Sequence, residues 1–160
     1  MMTRNNNYRF ILIFFLLIVS CDSKVLPAIN TSYYKFDNSL AVDQNLLFKE
    51  NELTYYKNNK FSGIGVQKIE LLHGDGVLLQ SLYFYKGKRL WGEYHKENSG
   101  LLISRFNDKI IEQFHSNGNI KARFQTNGVI KNGYYNEFDN KGNLVSIFKY
   151  DDGKVIKRYK

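Results

Sequence analysis

The sequence predicts an all-β protein, an elongated antiparallel meander of stacked β-hairpin repeats, and three observations carry that reading. After about Glu52, aromatic and β-branched residues alternate with polar ones in runs of five to eight, the period-two pattern of strands with one covered face. The runs are separated by turn pairs: Asp75-Gly76, Lys86-Gly87, Asn117-Gly118, Asn127-Gly128, Lys141-Gly142 and Asp152-Gly153. Such pairs tolerate the positive φ that tight hairpin turns demand. The turn glycines also keep a phase. Gly118, Gly128, Gly142 and Gly153 are each followed two residues on by an aliphatic (Ile120, Ile130, Leu144, Val155) and six residues on by an aromatic (Phe124, Tyr134, Phe148, Tyr159).

Even offsets place both anchors of a unit on one strand face, the expected inner face. Between them, at offset four, Ala122, Asn132, Ser146 and Lys157 vary in size and polarity. The glycines fall 10, 14 and 11 residues apart, which gives a two-strand period of 24 or 25 residues. Recurrence at that spacing predicts hairpins that cover one another's apolar faces. Earlier copies are degenerate: Gly76 has Leu78 and Leu82 in phase, whereas after Gly87 the anchors slip by one to Leu90 and Tyr94. The irregular Lys96–Gly100 stretch is expected to hold a longer turn or a bulge.

Ahead of the repeats the chain has a different character. Residues 1–9 carry Arg4 and Arg9 and no acid, and Phe10–Ser20 is apolar up to its last residue. This is a charged start followed by an apolar run of signal-peptide length, shorter than the roughly 20 residues of a spanning helix. The run ends in Ile18-Val19-Ser20-Cys21, which resembles the lipobox of bacterial lipoproteins. That resemblance implies cleavage before Cys21 and attachment of diacylglycerol to its thiol, usually with a further acyl chain such as palmitate, which gives durable anchoring. Cys21 is the only cysteine, so no disulfide joins two parts of the chain. Residues 1–20 are thus read as a signal peptide, 21–50 as a tether with atypical first elements, and 51–160 as the repeats. Within the tether a first strand is expected near Tyr33–Phe36 and one helical turn within Asp43–Glu50. The expected location is the cell membrane or the outer membrane, lipid-anchored after export. Asp22 resembles the inner-membrane retention signal of enteric bacteria, and other lineages read that position differently.

The repeats resemble those of the MORN-repeat variant family of bacteria, whose units join an aromatic, polar residues, Asn-Gly-Lys, an aliphatic and a second aromatic. The matching stretches are Phe114–Lys121, Gly128–Tyr135, Phe138–Leu144, Tyr150–Val155 and the earlier Tyr83–Tyr94. The resemblance spans Tyr55 to Tyr159 and implies antiparallel hairpins in an extended sheet. It also implies an antitoxin-like role, in which the partner would be a co-encoded toxin. The second glycine of the motif is kept at Gly92 and Gly133 and lost at Ala122-Arg123 and Ser146-Ile147.

Residues 21–160 retain 21 basic and 15 acidic side chains, a formal charge of +6. That balance suits an acidic protein or anionic headgroups, or simply a solvated face. Nucleic acid is not expected for an exported chain without a basic block or a binding motif. No cofactor or metal is expected either, because His73, His95 and His115 stand in different repeats without paired spacing. Catalysis is disfavoured, since no serine lies in a nucleophile elbow and Gly63-Ile64-Gly65 does not continue into a phosphate loop. His95 with Glu97, at i,i+2, is the least unfavourable acid/base pair. An enzyme or carbohydrate-binding protein acting on envelope polymers is the alternative reading.

The sequence points instead to a membrane-anchored module that binds an unidentified envelope or toxin protein. Neighbouring aromatics such as Tyr83-Phe84-Tyr85 and Tyr134-Tyr135 must populate both strand faces, and exposed rings among Lys and Arg make rigid contact surface. Side chains at odd offsets from the four phased glycines are expected to point away from the inner face. They give the candidate binding residues Lys121, Arg123, Lys131, Val145, Ile147, Ile156 and Arg158. The competing account buries the aliphatic members against a second layer.

Overall fold

The computed structural model describes residues 24–37, 41–70 and 77–160. The expected signal segment, Cys21, His73 and the turn at Gly76 lie outside the described residues. The fold is all-β: an elongated, open and mainly antiparallel sheet built of successive hairpin-like strand pairs.

Ten strands form the main sheet. A short β1 (Val42–Asp43) pairs parallel with β5 (Gly63–Glu70). From β5 the chain runs as an uninterrupted meander through β6 (Val77–Tyr85), β7 (Lys88–Lys96), β8 (Leu102–Phe106), β9 (Ile110–Phe114), β10 (Ile120–Asn127), β11 (Ile130–Phe138), β12 (Leu144–Asp151) and β13 (Lys154–Arg158). A second, three-stranded sheet, β2 (Phe48–Glu50), β3 (Leu53–Tyr56) and β4 (Asn59–Lys60), packs beside the first strands through the Phe61–Phe84 ring contact. The expected helical turn is a single 3-10 turn, Gln44–Leu46, capped by the Asp43 carboxylate on the Asn45 N–H.

Turn chemistry accounts for the meander. Lys86-Gly87 and Asp152-Gly153 have positive φ at both residues and join directly paired strands, the geometry that matches strand twist. The longer connections 115–119 and 139–143 are equivalent. In each the first residue takes a main-chain bond from the glycine three residues on and gives one to the residue four on. The 24-residue period is therefore real: it separates two like turns at one end of the sheet.

The expected common face for the phased anchors is corrected. Ile120 lies opposite Phe114 and Phe124 opposite Ile111, with a register shift between them; Leu144 and Phe148 are separated in the same way. Lys121 and Val145 are the extra residues of these two bulges, again 24 apart. One inserted residue reverses the side-chain alternation, so the aliphatic anchor faces one side of the sheet and the aromatic the other.

Tyr33–Phe36 is not a strand. Residues 24–37, within the stretch expected to be a tether, run as an irregular strap across one face of the main sheet. At one end Lys24 and Leu26 meet β11, and at the other Tyr34 and Phe36 meet β6 and β7. Leu26 and Ile29 are buried there. Phe36 stands edge-on to Trp91, 5.6 Å away, and Trp91 stacks on Tyr83 at 4.6 Å. Rings and aliphatics give the covered face its apolar burial, while the strap's backbone must find polar partners elsewhere.

Candidate functional site

Those partners form a row of charged and polar side chains on the strapped face. Register opposes Glu93 to Arg105, Arg105 to Glu112, Glu112 to Arg123 and Arg123 to Asn136. Charge alternates along the row, so each neighbour across the ladder is complementary. Arg105 Nε donates to Glu93 Oε1 at 2.7 Å, and its Nη1 is 3.7 Å from Glu112 Oε2. Arg123 Nε donates to Glu112 Oε1 at 2.9 Å. Glu112 is 1% exposed and Asn136 is fully buried.

The far half of this row reads the strap's main chain. Asn136 Oδ1 accepts the Leu26 N–H at 2.7 Å and Asn136 Nδ2 donates to the Lys24 carbonyl at 2.8 Å. Arg123 Nη1 donates to the Leu26 carbonyl at 2.6 Å, and Glu112 Oε1 accepts the Ile29 N–H at 3.1 Å. Four bonds thus satisfy an extended backbone that no strand pairs, and they make the buried charges mutually dependent.

The near half is a smaller cluster. Glu93 Oε2 accepts the Tyr83 hydroxyl at 2.9 Å and lies 3.2 Å from His95 Nε2. Burial alone would push the Glu93 carboxyl up, but the hydrogen bond and charge of Arg105, with bonds from Tyr83 and His95, hold it below the ordinary carboxylate range. Burial, then the Glu93 charge, raises the Tyr83 phenol. Glu97, the expected partner of His95, is instead in an ion pair with Lys68. The His95 Nδ1 faces the Gly100 carbonyl at 3.2 Å. Among the described residues there is no group of three or more His, Cys, Asp or Glu able to hold a metal ion.

The opposite face is different. Over β8–β13 no described strand or helix packs on it. Phe124, Tyr135 and Phe148 lie side by side across β10, β11 and β12, with Tyr135 5.6 Å from Phe124 and 5.8 Å from Tyr150. The Lys131 ammonium stands 5.2, 4.5 and 5.2 Å from the Phe124, Tyr135 and Tyr150 ring centroids, within cation–π range of all three. Arg158 lies over Phe148 at 5.5 Å. The result is a ribbon of rings tipped with cations in which Phe124 is buried and Tyr135, Phe148, Tyr150 and Lys131 are half-buried.

The candidate binding residues therefore do not share one face. Lys131 and Arg158 belong to the aromatic ribbon. Arg123 and Ile147, expected to be exposed, are buried; Arg123 is a member of the strapped row and Ile147 lies opposite Asn136. Lys121 and Val145 project from the bulges, and Ile156 is exposed on the edge strand β13. The bulges decide this division, and no residue type announces them. The strapped row was missed because its members, at 93, 105, 112, 123 and 136, have no constant spacing; an acid or base recurring among apolar strand residues was its one visible signal. No family model matches the chain, and neither a curated protein nor a solved structure matches it.

Proposed function

We propose that the chain is a membrane-anchored lipoprotein of the cell envelope, held by lipid on Cys21, whose repeat sheet is a non-catalytic module that binds a protein. The resemblance of its phased turns to the MORN-repeat variants supports a recognition role for the sheet. The observation that carries the reading is the ring ribbon around Lys131. Half-buried rings and cations share the face that the strap does not cross, the composition of a contact hot spot, while the chain's own strap occupies the other face. The His95–Glu93 pair supports a structural role over a catalytic one, because Arg105, Tyr83 and the Gly100 carbonyl already engage both members.

Two measurements test this. Cys21→Ala should abolish a detergent-phase, lipid-bearing form seen by intact mass; wild-type protein without lipid overturns the anchor. Photocrosslinking in whole cells from Tyr150, compared with the bulge position Lys121, should give a discrete adduct from the ribbon alone, lost in Lys131→Glu. Adducts from Lys121 and none from Tyr150 would overturn the assignment of the binding face.

A further inference from the structure

The strap leaves the sheet at its most basic end. Lys24 lies over the Tyr159 ring at 4.4 Å and Lys157 over the same ring at 5.0 Å. Lys149 is opposite Lys157 in register. Lys154 and Arg158 complete a fully exposed β13, and Ile156 is 57% exposed between them. None of these cations is in a salt bridge among the described residues, whose ion pairs all lie between Lys68 and Arg123. Asp151 stands opposite Lys154 in register, but Lys24, Lys149 and Lys157 gather about Tyr159 without an ion-paired carboxylate, and like charges so placed call for an anion from outside the chain.

We infer that this edge, β12 and β13 with Lys24, rests on the anionic headgroups of the bilayer that holds the lipid of Cys21. The inference rests on the lipoprotein reading above. Its second support is chain length. Lys24 is the third residue after Cys21, so full extension separates them by about 11 Å at most. The Lys24 carbonyl is fixed on Asn136, so the domain sits directly on its anchor and not at the end of a long leader. Headgroup attraction acts over about 8 Å at physiological salt, a range the edge cations can reach and the distant strands cannot. Nine strand spacings of about 4.8 Å carry the first strand of the sheet some 43 Å from β13 along the stacking axis. Exposed Ile156 and Val155 add apolar side chains where headgroups meet acyl chains. Lysines also keep an open edge strand from pairing with another chain, and that simpler account predicts no dependence on lipid charge.

The test uses the acylated full chain in vesicles of phosphatidylcholine, with or without phosphatidylglycerol, containing a trace of nickel-chelating lipid. Acylation consumes the Cys21 thiol, so a fluorophore on Val155→Cys or Lys60→Cys is unique. The Val155→Cys label should be quenched more strongly in anionic than in neutral vesicles, and the Lys60→Cys label in neither. Lys154→Glu/Lys157→Glu/Arg158→Glu should return the Val155→Cys signal to its neutral-vesicle level. If intact mass shows acylated Cys21 but Val155→Cys quenching ignores lipid charge, the edge does not face the bilayer and the anchor stands. If mass shows no lipid, the anchor and this inference fall together.

Discussion

Arg123 and Glu112 face each other across β10 and β9 and share a 2.9 Å hydrogen bond beneath the strap, both of them buried. Neither is a surface ion pair, and removing one would strand the other's charge away from water. Arg123→Ala is therefore expected to destabilise by about 3–5 kcal/mol, the usual cost of breaking a buried pair. Lys121→Ala, two residues away and exposed, should stay within about 0.5 kcal/mol. In urea unfolding, Arg123→Met with Glu112→Leu should cost much less than the sum of the singles, because it removes both charges together. Additive costs would mean that the two charges are not coupled.

Asn136 holds the strap with both ends of its amide, so Asn136→Ala should release it selectively. The Leu26 and Ile29 amides are expected to lose hydrogen-exchange protection while the β9–β11 ladder keeps its own. Limited trypsin digestion should then cut near Lys24 or Lys35 before the sheet opens. Simultaneous loss of protection in strap and ladder would show that the strap has no separate stability.

Glu93 titrates below the ordinary carboxylate value of 4.5 in the folded chain. A depressed folded pKa gives stability that is fully present above the unfolded value and is lost as pH falls through the folded one. Thermal midpoints of the wild type should therefore decline on acidification below about pH 4.5, and Glu93→Gln should decline less over the same window. An unchanged acid slope in Glu93→Gln would place that linkage on other carboxylates.

Two glycines should fail for different reasons. A Cβ on Gly92 would meet Phe106 Cζ at 2.2 Å, so Gly92→Ala forces the ring aside and should cost about 1–3 kcal/mol. Phe106→Leu should partly rescue it. Gly128 has φ +67° and open space around it, so Gly128→Val should cost about 1 kcal/mol or more through backbone strain alone, with no rescue from any neighbour. Thermal unfolding of Gly92→Ala, Gly92→Ala/Phe106→Leu and Gly128→Val separates the two mechanisms.

The Trp91 indole N–H is buried without a hydrogen-bond partner among the described residues, although its ring lies between Tyr83 and Phe36. Trp91→Phe removes an unsatisfied donor and keeps a ring, so its cost should fall well below the roughly 3–5 kcal/mol expected of Trp91→Ala. Equal losses in chemical denaturation would indicate that the N–H is paired in solution.

The all-β class, the antiparallel meander and the glycine-bearing hairpin turns follow from the sequence by itself, because each depends on neighbours, whereas the parallel β1–β5 pairing, the separate β2–β4 sheet and the glycine-free turn at 107–109 do not. Lys86-Gly87 and Asp152-Gly153 need nothing beyond their own φ angles to join adjacent strands. Which face a side chain takes was settled only by tertiary structure, since the bulges at Lys121 and Val145 reverse the alternation, sending Phe124 to the aromatic ribbon and Arg123 beneath the strap. The strap was equally hidden. Its backbone partners stand 83 to 112 residues along the chain, and a run of local sequence carries no trace of bonds whose other half belongs to Glu112, Arg123 and Asn136. Register alone brings those residues into one row, and register is a property of the assembled sheet.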